Sequence, residues 1–296
     1  MTLTEALTMQ KATRDTSVLA QIARDVRVDI LKMTFKAQSG HPGGSMSAAE
    51  LLTALYFGER KTTAGKPYMT VDPANPKWDG RDRFILSKGH CCPVQYAVLA
   101  RRGFFDRKEF TGLRRAGNLL QGHSDIKVPG VDMSSGSLGM GLGFANGVAL
   151  GARVQGKGYH TWVMMGDGEI QEGNVWESAM SAAHRKLDNV TAILDYNKIQ
   201  IDGFVKDVKN LEPVTDKWRA FGWHVIEIDG HNYDQIFRAY DEALATKGKP
   251  TIVVAHTLKG KGVSFTENKA DYHGRALTAE EMKRAMAELG ENWEVA

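Results

Sequence analysis

"VMMGDGEIQEG", Val163 to Gly173, decides how this chain is read. Three apolar residues run into an aspartate held between two glycines, and an acid-rich segment of helical character follows. Extended back to His160, the run becomes "HTWVMM" (160–165), which has the length of a buried strand. Downstream, 169–186 reads as a helix and "NVTAIL" (189–194) as a second strand, which runs into Asp195-Tyr196-Asn197-Lys198-Ile199. Asp167 and Asn197 are about 30 residues apart, the span of one strand–helix–strand unit. Two neighbouring strands would then end on oxygen-bearing side chains that can face one site.

The alternation continues on both sides. "RFILS" (83–87) is a strand, followed by a helix from about Pro93 to Arg102. "WHVIEI" (223–228), a helix over about 233–246, and "PTIVVAH" (250–256) complete the series. Short apolar strands alternating with helices imply an α/β fold: a single doubly wound, mainly parallel sheet with helices on both faces. Nearer the N-terminus, Leu19, Ile22, Val26, Ile30 and Met33 recur at helical spacing, so Ser17–Lys36 reads as an amphipathic helix ending near Gly40. "SAAE" (Ser47 to Glu50) has capping-box spacing ahead of a helix reaching about Phe57. Residues 59–80, with three prolines, read as a surface loop, and Thr278 to Leu289 as a last helix. The expected organisation is a loosely held arm, 1–16, and one domain, 17–296.

With 296 residues, 42% of them hydrophobic and 25% charged, the chain has the make-up of a globular protein with ample core. The net charge of +3 comes from interspersed signs with no long basic block, which argues against nucleic acid as a partner. The start, "MTLTEALTMQKATRDTS", is polar and acid-bearing, unlike a signal peptide, and no apolar run reaches the ~18 residues of a membrane helix. Cys91 and Cys92 are adjacent, a spacing suited neither to a bridge nor to a metal site, and they fit a reducing cytoplasm.

In an open parallel sheet, ligands bind beyond the C-terminal ends of the strands. A carboxylate at Asp167 with an amide oxygen at Asn197 is hard-cation chemistry, and Mg²⁺ commonly completes its six oxygens from a substrate phosphate. Gly166 and Gly168 would let phosphate oxygens approach the backbone, and a helix starting near Glu169 would point its amides the same way. The pattern reads as metal plus diphosphate. A plain surface turn is the alternative, since 31 residues are glycine; the second oxygen cluster at the next strand end favours a site. Glu169 itself needs no role beyond that of an acid in a first helical turn.

Of nine histidines, four sit beside glycine in turn-like sequence: His41 in "SGHPGG", His90 in "SKGH", His123 in "QGHSD" and His273 in "DYHGRA". These point to polar work near a ligand, whereas His160, His184, His224, His231 and His256 read as ordinary. "GSLGMGLGFANGVALG" (136–151) is not a dinucleotide fingerprint, because Asn146 stands at the third glycine position. It reads as a helix with Gly139, Gly143, Gly147 and Gly151 on one face. At about 1 kcal/mol each against alanine, such glycines make sense where something packs close, either another helix or a cofactor ring; for Gly143 to Gly151 the favoured reading is a tight helix contact, such as one across a dimer. The start, Gly136-Ser137-Leu138-Gly139, is the part expected to touch ligand.

Taken together, these residues resemble the transketolase family, in its N-terminal thiamine-diphosphate-binding domain, over about residues 17–275. GDG followed by "DYNKI" is similar to the thiamine diphosphate motif of the wider superfamily, while "SGHPGG", "DRFILSKGH", "GSLGMGLG" and "GDGEIQEGNVWE" are more specific to transketolases. The resemblance implies Mg²⁺ (or Ca²⁺ or Mn²⁺) on Asp167, Asn197 and the Ile199 carbonyl. It places Gly166 and Gly168 along the diphosphate, His90 and His273 at the diphosphate and thiazolium end, and Gly136 and Leu138 at the aminopyrimidine. His41, His123 and His273 would bind the donor sugar and move protons. Glu172, beside the cofactor, and Glu177 match acids that join paired sites across a dimer interface.

The implied activity is transfer of a two-carbon ketol unit from a ketose phosphate to an aldose phosphate. Single-chain family members are more than twice as long. The resemblance therefore implies the N-terminal subunit of a split transketolase, working with a C-terminal subunit that carries the pyrimidine-binding and C-terminal domains, as an α2β2 heterotetramer. Ser137 and Met140 stand where many relatives have Pro and Gln. The α-subunit of a 2-oxoacid dehydrogenase would share GDG and the downstream Asn but not "SGHPGG" or "SKGH". A 1-deoxyxylulose-5-phosphate synthase is disfavoured by "SKGHCCPVQ" and by length, and a catalytically silent regulatory module need not keep four such imidazoles.

Overall fold

The computed structural model describes residues 12–293. Its elements, in chain order, are α1 (Thr16–Ala37), α2 (Pro42–Ser47), α3 (Ala49–Phe57), β1 (Arg83–Leu86), α4 (Cys92–Arg101), α5 (Met140–Val154), β2 (Thr161–Gly166), α6 (Gly173–His184), β3 (Val190–Tyr196), β4 (Ile199–Gln200), β5 (Gly203–Phe204), α7 (Val205–Val208), α8 (Val214–Ala220), β6 (His224–Asp229), α9 (Tyr233–Ala245), β7 (Thr251–His256) and α10 (Ala279–Glu288).

The strands β1, β2, β3, β7 and β6 lie side by side in that order, all parallel, and β4–β5 form a small antiparallel ribbon. Successive side chains of a strand point to opposite faces. Accordingly Phe84, Leu86, Trp162, Met164, Ile193 and Val253 join one core, with α1, α3, α4, α9 and α10. Ile85, Val163, Met165, Ala192, Leu194 and Val254 join the other, with α5, α6 and α8. Both faces are covered, which is why the strands read as unbroken apolar runs, and the doubly wound parallel sheet expected above is the fold observed.

Two local expectations are corrected, and a third falls largely outside the described residues. Residues 1–11 of the arm lie outside the described residues; the remainder is anchored, with Thr13 bridging Gly58 and Arg14 pairing with Asp241 at 2.9 Å. Ser47 does not cap α3: its hydroxyl donates to the Asp195 carboxylate at 2.6 Å, and Glu50 is taken by Arg27 at 2.6 Å. A capping box forms instead on α10, between Thr278 and Glu281. Finally, the segment after Asp167 opens with a 3-10 turn over Gly168–Gln171, and the α-helix starts only at Gly173.

Candidate functional site

The C-terminal ends of four adjacent strands converge on one cavity of about 400 Å³. Lys88 and His90 follow β1, Asp167 follows β2, Asn197 and Ile199 follow β3, and Lys259 follows β7. At the floor, Asp167 accepts the Gly168 amide at 2.7 Å and also the amide of Lys198, whose φ of 67° lies in the left-handed region. Because Lys198 adjoins Asn197, this contact brings the two oxygen-bearing strand ends together. Asn197 Oδ1 accepts the Ile199 amide at 3.2 Å, and its Nδ2 donates to Asp195 at 3.1 Å. Burial, and the neighbouring charge of Asp195, push the Asp167 carboxyl well above the usual carboxylate range. A carboxylate so placed favours a cation nearby.

A buried polar frame holds these ends in place. Lys88 forms an ion pair with Asp195, both fully enclosed, and donates to the Gly44 carbonyl at 2.8 Å. Asp195 also accepts from Ser47 and Thr257, so one carboxylate ties β1, α2, β3 and the β7 end. Glu169 is not the surface acid expected of a first helical turn. It is 2% exposed, and its carboxylate accepts the amides of Gly139 at 3.0 Å and Gly166 at 3.1 Å and the Ser87 hydroxyl. It clamps the start of α5 to the ends of β1 and β2. Sequence reasoning singles out neither Lys88 nor Glu169 for the site; the signal available is a charge inside an otherwise apolar strand–turn segment.

The four glycine-flanked histidines do meet. Ring centroids are 5.0 Å apart for His41–His90, 5.4 Å for His90–His273, 5.5 Å for His41–His273 and 6.4 Å for His41–His123. Burial, then mutual repulsion among these rings and nearby cations, lowers His41 to about 4, and burial with the Lys88 charge lowers His90 to about 4. His273, buried against Lys259, falls to about 2, and His123 is lowered too. At neutral pH all four are uncharged imidazoles, able to accept or donate a proton. His41 Nδ1 is buried with no protein partner. Lys259, also missed by sequence reasoning, donates to the Ile199 carbonyl at 2.8 Å and lies 2.5 Å from His273 Nδ1. Burial lowers its amino group below the ordinary lysine range.

Gly136, Leu138, Gly166, Gly168 and Glu172 line the same cavity, whereas Glu177 lies outside it, exposed on α6. The glycine stripe of α5 behaves differently from expectation inside the chain. A Cβ at Gly147 or Gly151 would meet nothing within 4 Å, while the tight approach is at Gly141, whose Cβ would fall 2.3 Å from Ser87 Cβ. Gly139, at φ 82°, caps the helix beside Glu172. Phe144, Met140 and Met180 are exposed on this bare surface of α5 and α6.

Comparison with known proteins supplies the family. The sequence pattern described as "Transketolase, thiamine diphosphate binding domain" matches residues 17–295. The chain belongs to the transketolase family. It is 45% identical over 268 residues to the 6-deoxy-6-sulfo-D-fructose transketolase subunit SqwG of Clostridium sp. (strain MSTE9), covering 90% of this chain and 94% of that one. An apulose-4-phosphate transketolase subunit of Phocaeicola vulgatus is 41% identical over 268 residues, with 90% and 92% covered. Among solved structures, transketolase from Campylobacter jejuni superposes with a TM-score of 0.86 at 30% identity, covering 94% of this chain and 43% of that one. The chain thus spans less than half of that single-chain transketolase and nearly the whole of the two relatives named as subunits. Among the described residues of this transketolase chain, no helix is long and apolar enough to cross a membrane.

Proposed function

We propose that this chain is the cofactor-holding subunit of a two-polypeptide transketolase, moving a two-carbon ketol unit from a ketose to an aldose. The observation that carries the reading is the single cavity at four strand ends that joins Asp167, Asn197 and Ile199 oxygens to four neutral imidazoles and the Lys259 amine. The donor set fits a metal diphosphate. Among the described residues no group of three or more His, Cys, Asp or Glu side chains could hold a metal alone, so a cation at Asp167 needs oxygens from Asn197, Ile199 and its ligand. Mg²⁺ is the natural occupant, with Ca²⁺ or Mn²⁺ as substitutes. Lys259 would meet the diphosphate once a cation takes the Ile199 carbonyl.

Thiamine diphosphate, when bound, supplies the carbon acid that makes and breaks the ketol bond. The protein's part is orientation and proton transfer. Gly166 and Gly168 would border the diphosphate, Gly136 and Leu138 the aminopyrimidine, and His90 and His273 the thiazolium end, all of them residues that line the cavity. His41, His123 and His273, uncharged at neutral pH, hold the sugar hydroxyls and carry protons.

Both relatives described as subunits are named for ketoses with an anionic end group, a sulfonate or a phosphate, and we assign the same class to this chain. The cavity rim carries exposed Leu138 and Ile201, apolar surface that a C-terminal subunit would cover. Glu172, Glu177 and the bare face of α5 would meet a second copy, giving an α2β2 assembly. The free thiols of Cys91 and Cys92, both buried, accord with a cytoplasmic location. Titrating thiamine diphosphate into the two-subunit complex, with and without Mg²⁺, tests the reading. Binding should require the cation and should fall at least tenfold in Asp167→Asn; metal-independent binding, or unchanged binding in the variant, would refute it.

A further inference from the structure

His231, by sequence an ordinary turn histidine, lies outside the cavity. Its surroundings are specific. Gly230 is pinned to the end of β7, its amide donating to the His256 carbonyl at 2.8 Å, and a Cβ there would stand 2.5 Å from Thr257 Cγ2. This places the His231 ring between two partners on opposite sides. Nδ1 is 2.9 Å from Glu50 Oε2, and Nε2 is 2.9 Å from the backbone nitrogen of Leu258. A backbone amide can only donate, so Nε2 is a bare acceptor and the ring proton sits on Nδ1, donating to Glu50. Glu50 in turn is held by Arg27, whose guanidinium also reaches the Met46 carbonyl at 3.1 Å.

The residue after Leu258 is Lys259, whose side chain crosses the cavity floor to Ile199 and His273. The same loop is fixed beyond Lys259 by the Gly260 amide on the Gly43 carbonyl, at 3.0 Å, and by the Asn268 amide on the Lys259 carbonyl, at 2.9 Å. On the β7 side, Thr257 donates to Asp195. Between these anchors, the Leu258 amide is the backbone donor whose acceptor is a side chain from another element, and that acceptor can be changed without touching the cavity.

We infer that His231 is a positioning residue: through its Nε2 bond to the Leu258 amide it sets the loop that presents Lys259 to the diphosphate. This deepens the reading given under Proposed function and rests on it. The two ring nitrogens can be separated by substitution. His231→Gln places a side-chain oxygen near the former Nε2 and keeps an acceptor for Leu258 while giving up the Glu50 bond. His231→Asn keeps a donor for Glu50 near the former Nδ1 and loses the acceptor for Leu258.

The test is run on the two-subunit complex, with thiamine diphosphate and Mg²⁺ as the probe, and on the chain itself by hydrogen exchange over residues 257–260. His231→Asn should raise the Kd for thiamine diphosphate about tenfold, leave kcat at saturating cofactor within about twofold, and speed exchange at Leu258. His231→Gln should remain within about twofold of the unsubstituted chain in all three. Equal affinity for His231→Asn, or an equal loss in both variants tracking a common fall in Tm, would overturn the inference. Should the unsubstituted complex fail to bind thiamine diphosphate, the proposed function fails, while the Leu258 exchange still decides whether His231 holds the loop.

Discussion

Replacing Lys88 by methionine should destabilise the fold by an amount that the geometry sets. Lys88 and Asp195 are 2% and 0% exposed, and they form an ion pair beneath the cavity. Burial alone would raise the Asp195 carboxyl; the Lys88 charge overrides that and holds it low. Lys88→Met keeps the volume of the stem but leaves a carboxylate in the interior with neutral partners only: Ser47, Thr257 and the Asn197 amide. Breaking one side of a buried pair costs about 3–5 kcal/mol. Unfolding entropy of about 2.1 cal/mol/K per residue gives about 0.6 kcal/mol/K for a chain of 296 residues, so Tm should drop by about 5–8 °C. Neutralising the orphan in Lys88→Met/Asp195→Asn should recover at least half of that loss, because the charge and not the lost contact is the main cost. Thermal unfolding by circular dichroism reads both. A drop under about 1 °C for the single variant, or a double variant no more stable than the single one, would refute the claim that an unpaired buried charge controls this site.

Other consequences follow from the same geometry. Gly147→Ala should stabilise the isolated chain by about 0.5–1 kcal/mol, since its Cβ meets nothing and glycine is costly mid-helix, whereas Gly141→Ala should destabilise it by at least about 2 kcal/mol against Ser87; urea midpoints compare the two. If the α5 face meets a second copy, Gly147→Ala should also weaken self-association in sedimentation. His273→Ala should lower turnover of the two-subunit enzyme at least tenfold, with an unchanged circular dichroism spectrum. His41, His90 and His273 sit below the ordinary histidine pKa of about 6.5, so the unfolded chain takes up protons that the folded chain refuses. Their contribution is full above about 6.5 and is lost as pH falls, through about 4 for His41 and His90 and through about 2 for His273, so Tm measured at pH 7, 6 and 5 should decline.

The sheet is legible in the sequence because both of its faces are covered: Trp162-Val163-Met164-Met165 alternates between two cores, and a strand buried on both sides shows as a continuous apolar run. The Asp167–Asn197 pairing is legible for the related reason that β2 and β3 are consecutive and adjacent, so that their loops open at one edge. The histidine cluster comes from local composition, glycine beside each ring. What stays hidden are contacts between distant segments. Ser47 looks like a cap, and its hydroxyl is claimed by Asp195, 148 positions away. Glu169 and His231 look like any acid or imidazole near a helix start, and only the closure of the sheet shows one clamping Gly139 and the other holding Leu258. Lys259 is invisible for the same reason, being one lysine in a Gly-Lys-rich loop until β7 takes its place next to β3.

The central claim is that this chain supplies the cofactor half of a transketolase and acts with a second polypeptide. Its most direct test is two-carbon transfer from a ketose phosphate to an aldose, measured with thiamine diphosphate and Mg²⁺ for the chain alone and for the chain mixed with a C-terminal transketolase subunit from the same organism. Turnover should appear only in the mixture. Full turnover by the chain alone, or none in a mixture that assembles and binds the cofactor, would contradict the account.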